Sequence, residues 1–300
     1  MTKTAKWLWG IFGFITLFFA IVIFSIFAFF NSSDDEDVTP GTSGTIALIE
    51  LNEPIVSSEN IVHQFKRYRE NSKVKAIVFR VDSPGGGVSA SQEIYEEVKK
   101  TRDSGKPVVV SMGSVAASGG YYVACGADRI VANPGSITGS IGVISQFMQY
   151  NNLMDKIGIT SSTIKSGKLK DAGSPFRKMT EDDKKYFQDM IDDVYDQFVT
   201  TVATERKLDK EFVKKLADGR VYTGRKACEL KLVDTLGTYE DAIEIAADLA
   251  DLSGTPRTIK EKKKEKFSEM LFGGMKQEIK NLKQEIFSQP MIQYLYTQPQ

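Results

Sequence analysis

The chain has 300 residues with 41% hydrophobic and 26% charged content, enough for one domain of about 200 residues plus appendages. Its 39 basic and 39 acidic residues cancel, so no global charge points to nucleic acid or to an acidic substrate. Two cysteines, Cys125 and Cys228, are too few for a disulfide framework. His63 is the only histidine and lies in a stretch that reads as an amphipathic helix, so the expected base for a nucleophilic serine here is one of the many lysines.

Trp7 to Phe30 is an uncharged apolar run between Lys3 and Lys6 on one side and Asp34 to Asp37 on the other. At a rise of about 1.5 Å per residue it is long enough to cross a hydrocarbon core of about 30 Å. The exit, Ala28-Phe29-Phe30-Asn31, lacks the small residues of a cleavable signal. The expected organisation is a cytoplasmic N-terminus (1–6), a transmembrane signal anchor (7–30) and a polar linker (31–44). An extracytoplasmic domain (45–252) and a charged, amphipathic C-terminal extension (253–300) follow. Outside the cytoplasm a Cys125–Cys228 bridge is open.

Strands and helices then alternate. Thr45–Leu51, Ala76–Val81, Pro107–Met112 and Arg129–Ala132 read as strands, with helices over Asn60–Glu70, Ser89–Thr101 and from about Ala117. This order predicts an α/β fold on parallel strands. Further strands are expected at Gly142–Met148 and Ser162–Ile164. Helices are expected over Asn151–Lys156, Thr180–Arg206, Asp209–Ala217, Gly224–Leu230 and Tyr239–Leu249, and an amphipathic one over 267–287.

Two turns after consecutive strands carry the chemistry. Asp82-Ser83-Pro84-Gly85-Gly86-Gly87-Val88 can bring bare backbone N–H groups to a ligand at a helix start. It lacks the Gly-Lys-Ser/Thr of a phosphate loop, so an oxyanion hole fits it better. Ser118, in Ala116-Ala117-Ser118-Gly119-Gly120, occupies the equivalent place after the next strand. Donors from Gly86 and Gly119 could hold a tetrahedral oxyanion, each contributing about 3 kcal/mol.

These motifs resemble the Clp protease/crotonase fold, and more closely the signal peptide peptidase A family of membrane-anchored serine peptidases. The matches are Ser83-Pro84-Gly85-Gly86, Met112 to Tyr122, Thr138-Gly139-Ser140-Ile141-Gly142-Val143 and Lys165 to Asp171. Ser174-Pro175, Gly219 to Gly224 and Leu232 to Gly237 follow in the family's order. The resemblance implies repeated ββα units after one transmembrane helix, in a single copy like the family's short form. It also implies a Ser/Lys dyad, with Ser118 the nucleophile and Lys170 the base. Lys165 is the alternative base, and Lys168 is read as solvated. Ser140 matches the serine that positions the lysine amine.

Further implications are a homo-oligomeric ring, commonly eight-fold, with the serine and lysine of one site supplied by neighbouring protomers. The implied substrates are remnant signal peptides and similar unfolded segments at the membrane. No cofactor or metal is implied, because clustered His/Cys/carboxylate ligands are absent from the sequence. The alternatives are a related membrane peptidase with a regulatory substrate, a catalytically silent membrane ring scaffold, and a crotonase-like enzyme acting on acyl-CoA. The tail, with Met291, Ile292, Tyr294, Leu295 and Tyr296, is a candidate self-substrate.

Overall fold

The computed structural model describes residues 7, 9, 11–22, 36–261 and 293–295. Two compact units emerge, one of Met1–Asp37 with Glu261–Ile286, the other of Val38–Lys260 with Phe287–Gln300. In the first, Trp7, Trp9 and residues 11–22 (α1) are helical, with Trp7, Phe14 and Phe18 exposed. No helix among the described residues is long and apolar enough to cross a membrane. The rest of the expected anchor, residues 31–35 of the linker and most of the C-terminal extension, including 267–287, lie outside the described residues.

The second unit is built on a mainly parallel sheet. Its strands are β1 (Glu36–Thr39), β2 (Thr45–Leu51), β3 (Val74–Ser83), β5 (Val108–Ala117), β6 (Arg129–Ala132), β7 (Ile137–Gly139), β8 (Val221–Thr223), β9 (Thr235–Leu236) and β10 (Arg257–Glu261). The order is β1-β10-β2-β3-β5-β6-β9, with β7 pairing β5 and β8. Pairs β2–β3, β3–β5, β5–β6 and β5–β7 are parallel, and β7–β8 is antiparallel. A second, two-stranded sheet joins β4 (Gly85–Gly87) to β11 (Gln293–Leu295).

Successive strand residues point to opposite faces, so a strand covered on both sides must be apolar throughout. Ile77, Phe79, Val81, Val108, Val110 and Met112 enter the larger core, while Ala76, Val78 and Val109 enter the smaller. The larger core is covered by α2 (Glu59–Glu70), α3 (Val88–Asp103), α4 (Gly119–Ala124) and α6 (Glu181–Arg206), through Phe65, Ile94, Tyr121 and Phe198. The smaller is covered by α9 (Tyr239–Leu249), through Ala242, Ile243 and Ala246. Short helices α5 (Asn151–Lys156), α7 (Lys210–Leu216) and α8 (Gly224–Glu229) complete the unit. Cys125 and Cys228 are both free.

The packing of α6 on α3 is braced by Glu205, which accepts from Tyr95 Oη at 2.6 Å and Arg102 Nη1 at 2.7 Å. Burial alone would raise the Glu205 carboxyl, but these two bonds outweigh it and hold it below its ordinary range.

The strands expected at Gly142–Met148 and Ser162–Ile164 do not form, apart from a bridge residue at Ile144. Their β-branched composition needs a partner ladder, and the β7 edge nearby is already taken by β8. Residues 142–179 instead form α5 and irregular chain with exposed apolar side chains, Met148, Leu153, Ile157 and the fully exposed Ile164 among them.

Candidate active site

Three chain segments meet at the carboxyl ends of β3, β5 and β7. Ser118 follows β5 directly, and its amide donates to Gly139 O at 2.8 Å. Its φ of 53° lies in the left-handed region, a conformation that costs a non-glycine residue about 1–3 kcal/mol. The residue is 1% exposed, and its Oγ is buried without a hydrogen-bond partner. Ser140 follows β7 in the same way, also at positive φ (50°), and its amide donates to Arg220 O at 2.9 Å. Because Ala117 pairs with Gly139, the two serines lie at adjacent strand ends. Thr138 Oγ1 and Ser136 Oγ brace β5 by donating to Ala116 O and Gly113 O at 2.7 and 2.6 Å.

The glycine loop closes onto Ser118 from β3. Ile55 N donates to Gly85 O and Gly87 N to Ile55 O, both at 2.8 Å. This bracket leaves the Gly86 amide facing the opposite edge of β4, since successive backbone groups of a strand alternate in direction. Gly86 has no room for a side chain: a Cβ there would sit 2.1 Å from Ile55 O. Gly119 is equally confined, with its Cβ position 2.6 Å from Ser91 Oγ and 3.2 Å from Gly86 N. The Gly86 amide nitrogen thus lies close to Gly119 in the first turn of α4, and first-turn amides have no partner within their own helix. On that opposite edge of β4 lies β11, antiparallel, with Tyr294 opposite Gly86, and β11 also touches α3 and α4.

A buried serine without a partner, close to Gly86 and Gly119 on a mainly parallel α/β sheet, suits acyl transfer. Residues 100–253 match the model of peptidase family S49, and residues 46–138 that of Clp protease. The chain belongs to peptidase family S49. It is 46% identical over 212 residues to a provisionally named protease of Synechocystis, covering 70% of this chain and 76% of that protein. It is 43% identical over 186 residues to a provisionally named signal peptide peptidase SppA of Enterococcus faecium, covering 62% of this chain and 54% of that protein. The match to Protease 4 of Salmonella typhi is 41% over 220 residues, covering 70% of this chain and 35% of that protein. The match thus spans about half the length of the Enterococcus relative. The Clp match and the sheet topology establish the α/β Clp protease-like fold.

The three candidate lysines of this S49 chain stand apart from Ser118. Lys165 Nζ donates to Asp171 Oδ1 at 2.5 Å and to Lys168 O at 2.9 Å. Lys168 pairs with Asp182 at the start of α6. Lys170 is exposed and takes no carboxylate partner among the described residues. The bonds of this segment run to α6, and none runs to the Ser118 turn among the described residues. A cavity of about 570 Å³ opens beside Ser140, lined by Val143, Ile144, Ile191, Tyr195 and Gly219. A larger hollow of about 870 Å³ lies along α3 beside Glu93, Glu96 and Lys100, and no predicted site residue lines it.

Arg177 escaped the sequence reading. Its guanidinium donates from Nε to Asp171 Oδ2 and from Nη2 to Asp171 Oδ1, both at 2.9 Å, and from Nη2 to Asp183 Oδ1 at 3.1 Å. Asp183 also closes the capping box of α6, accepting from Thr180 N at 2.9 Å. The Thr180-x-x-Asp183 spacing is a visible cap signature, but nothing in the sequence announces a shared arginine.

Proposed function

We propose that this chain is a membrane-tethered serine endopeptidase that degrades remnant signal peptides and similar unfolded segments, with Ser118 as nucleophile and Lys170 as general base. The observation that carries the reading is the buried, unpartnered Ser118 Oγ on a strained turn beside the Gly86 and Gly119 amides. An extended peptide would take the place of β11 on the edge of β4, placing its scissile carbonyl over Ser118.

Ser118 Oγ attacks that carbonyl as its proton passes to Nζ of Lys170. The amides of Gly86 and Gly119 hold the oxyanion, and the lysine proton then passes to the departing amine. Water deprotonated by the Lys170 amine then attacks the acyl group, and that proton passes from Lys170 to Ser118 Oγ as the ester bond breaks. A lysine in water has a pKa near 10.4, so the amine must be desolvated before it can accept a proton. Ser140, next to Ser118 across the β5–β7 pair, would orient it.

Lys170 would come from a neighbouring protomer in a ring. Supporting this are its exposure, the direction of its segment's bonds toward α6, and the uncovered apolar side chains of 148–176. The run Trp7–Phe30 would anchor the chain, with its N-terminus in the cytoplasm and the peptidase unit outside.

A fluorophosphonate probe tests the dyad. Labelling should be lost in both Ser118→Ala and Lys170→Ala, persist in Lys165→Ala, and return in part when the two inactive chains are co-assembled. Labelling that survives Ser118→Ala would refute the nucleophile. Mixed assemblies that stay inactive would refute the shared site.

A further inference from the structure

Four cations and three carboxylates are sorted unevenly around the Lys170 turn. From the loop, Lys165 and Arg177 face Asp171. From α6, Asp182 takes Lys168, and Asp183 takes Arg177. Asp171, next to Lys170 in the chain, has both oxygens engaged, Oδ1 by Lys165 and Arg177 and Oδ2 by Arg177.

We propose that Arg177 is the positioning residue for the base: it ties Asp171 to Asp183, seats the Lys170 turn on α6, and keeps the neighbouring carboxylate off the Lys170 amine. The proposal rests on Lys170 being that base.

Two physical effects support it. Mechanically, Arg177 Nη2 also donates to Asp171 O at 3.0 Å, so backbone and side chain of the residue after Lys170 are held together. The far end of the clamp is rigid, because the Asp183 side chain is 2% exposed and locked in the α6 cap. Electrostatically, a free carboxylate beside Lys170 would favour its ammonium form, the one that cannot accept the Ser118 proton. Arg177 and Lys165 instead occupy both Asp171 oxygens and offset its negative charge, so the carboxylate stays ionised but is spent on them. Arginine suits this task because its planar fork binds two carboxylates and stays charged at every working pH.

The test uses the full chain in detergent and measures peptide turnover against pH. In Arg177→Gln, kcat should fall about tenfold to 10²-fold through misplacement of the base. KM should stay within about twofold. The acid limb of kcat should move up by about one pH unit as freed Asp171 raises the base. Adding Asp171→Asn should bring the limb back while kcat stays low, and Arg177→Lys should fall between wild type and Arg177→Gln. A folded Arg177→Gln protein with unchanged kcat overturns the proposal, as does a lowered kcat with an unmoved limb. If Arg177→Gln does not fold, Asp171→Asn alone decides: a lowered kcat without a raised limb supports the clamp, and wild-type kcat overturns it. Lys170→Ala is run alongside. Activity surviving there removes the base reading itself, a pattern distinct from an inactive Lys170→Ala beside a wild-type Arg177→Gln.

Discussion

Replacing Ser118 by alanine should make the isolated protomer more stable while abolishing its chemistry. The Ser118 Oγ is buried with no partner, and leaving a buried hydroxyl unsatisfied costs about 1–3 kcal/mol. Deleting one small atom forfeits dispersion contacts of about 0.5 kcal/mol, so the net gain is about 0.5–2.5 kcal/mol. Backbone strain is untouched, because alanine keeps the Cβ at φ 53°. Ser118→Gly should release about 1 kcal/mol more. For a unit of this size the alanine gain corresponds to a rise of about 1–10 °C in Tm. The assay is thermal unfolding of the full chain in detergent, dilute enough to keep protomers apart, with labelling as the activity control. At concentrations that allow assembly the gain should shrink, since a neighbour's amine would then satisfy the serine. An unchanged or lower Tm in the dilute protein would show that the hydroxyl is already satisfied, and the argument from its isolation would fail.

Gly119→Ala should lower kcat by about 10²-fold, because its Cβ meets Ser91 Oγ at 2.6 Å and crowds the Gly86 amide. Ser91→Ala in that background relieves the nearest contact and should recover part of the rate, whereas near-wild-type turnover in Gly119→Ala alone would exclude its amide from the oxyanion site. Ending the chain after Ser288 removes β11 and uncovers the β4 edge, so labelling of Ser118 should become several-fold faster; an unchanged rate would show that β11 does not limit access. The clamp also has a pH signature. The Arg177 guanidinium depresses the Asp171 and Asp183 carboxyls, so their contribution is complete above the ordinary carboxylate pKa of about 3.9 and is lost as pH falls through the depressed values. The stability difference between wild type and Arg177→Gln should therefore be flat from pH 8 to 5 and close only in strong acid, by urea unfolding; a difference that closes near pH 5 would contradict this.

Much of the fold is legible in the residues. The run Pro107–Met112 has no polar alternation because both of its faces are covered, and the structure extends it to Ala117. Helix α6 begins where Thr180 and Asp183 form a capping box, and α9 likewise at Thr238 and Asp241. Such signals are local, set by periodicity and by the unpaired amides of a helix start. The misread strands at Gly142–Met148 and Ser162–Ile164 show the limit: β-branched composition is a preference that a ladder must realise, and the described residues form none there beyond a bridge at Ile144.

The candidate site divides along the same line. Sequence alone determines that a serine chemistry here has one imidazole, His63, against many lysines, that Ser118 and Gly86 follow consecutive strands, and that three lysines crowd one segment. Tertiary structure decides what those residues meet. It leaves Ser118 Oγ without a partner and brings Gly119 against the Gly86 amide. It gives Asp171 to Lys165 and Arg177 and Asp182 to Lys168, leaving Lys170 without a carboxylate among the described residues. A lysine's character as base or solvated charge depends on burial and on nearby carboxylates. Those neighbours are brought together by folding, from residues that spacing in the chain does not connect.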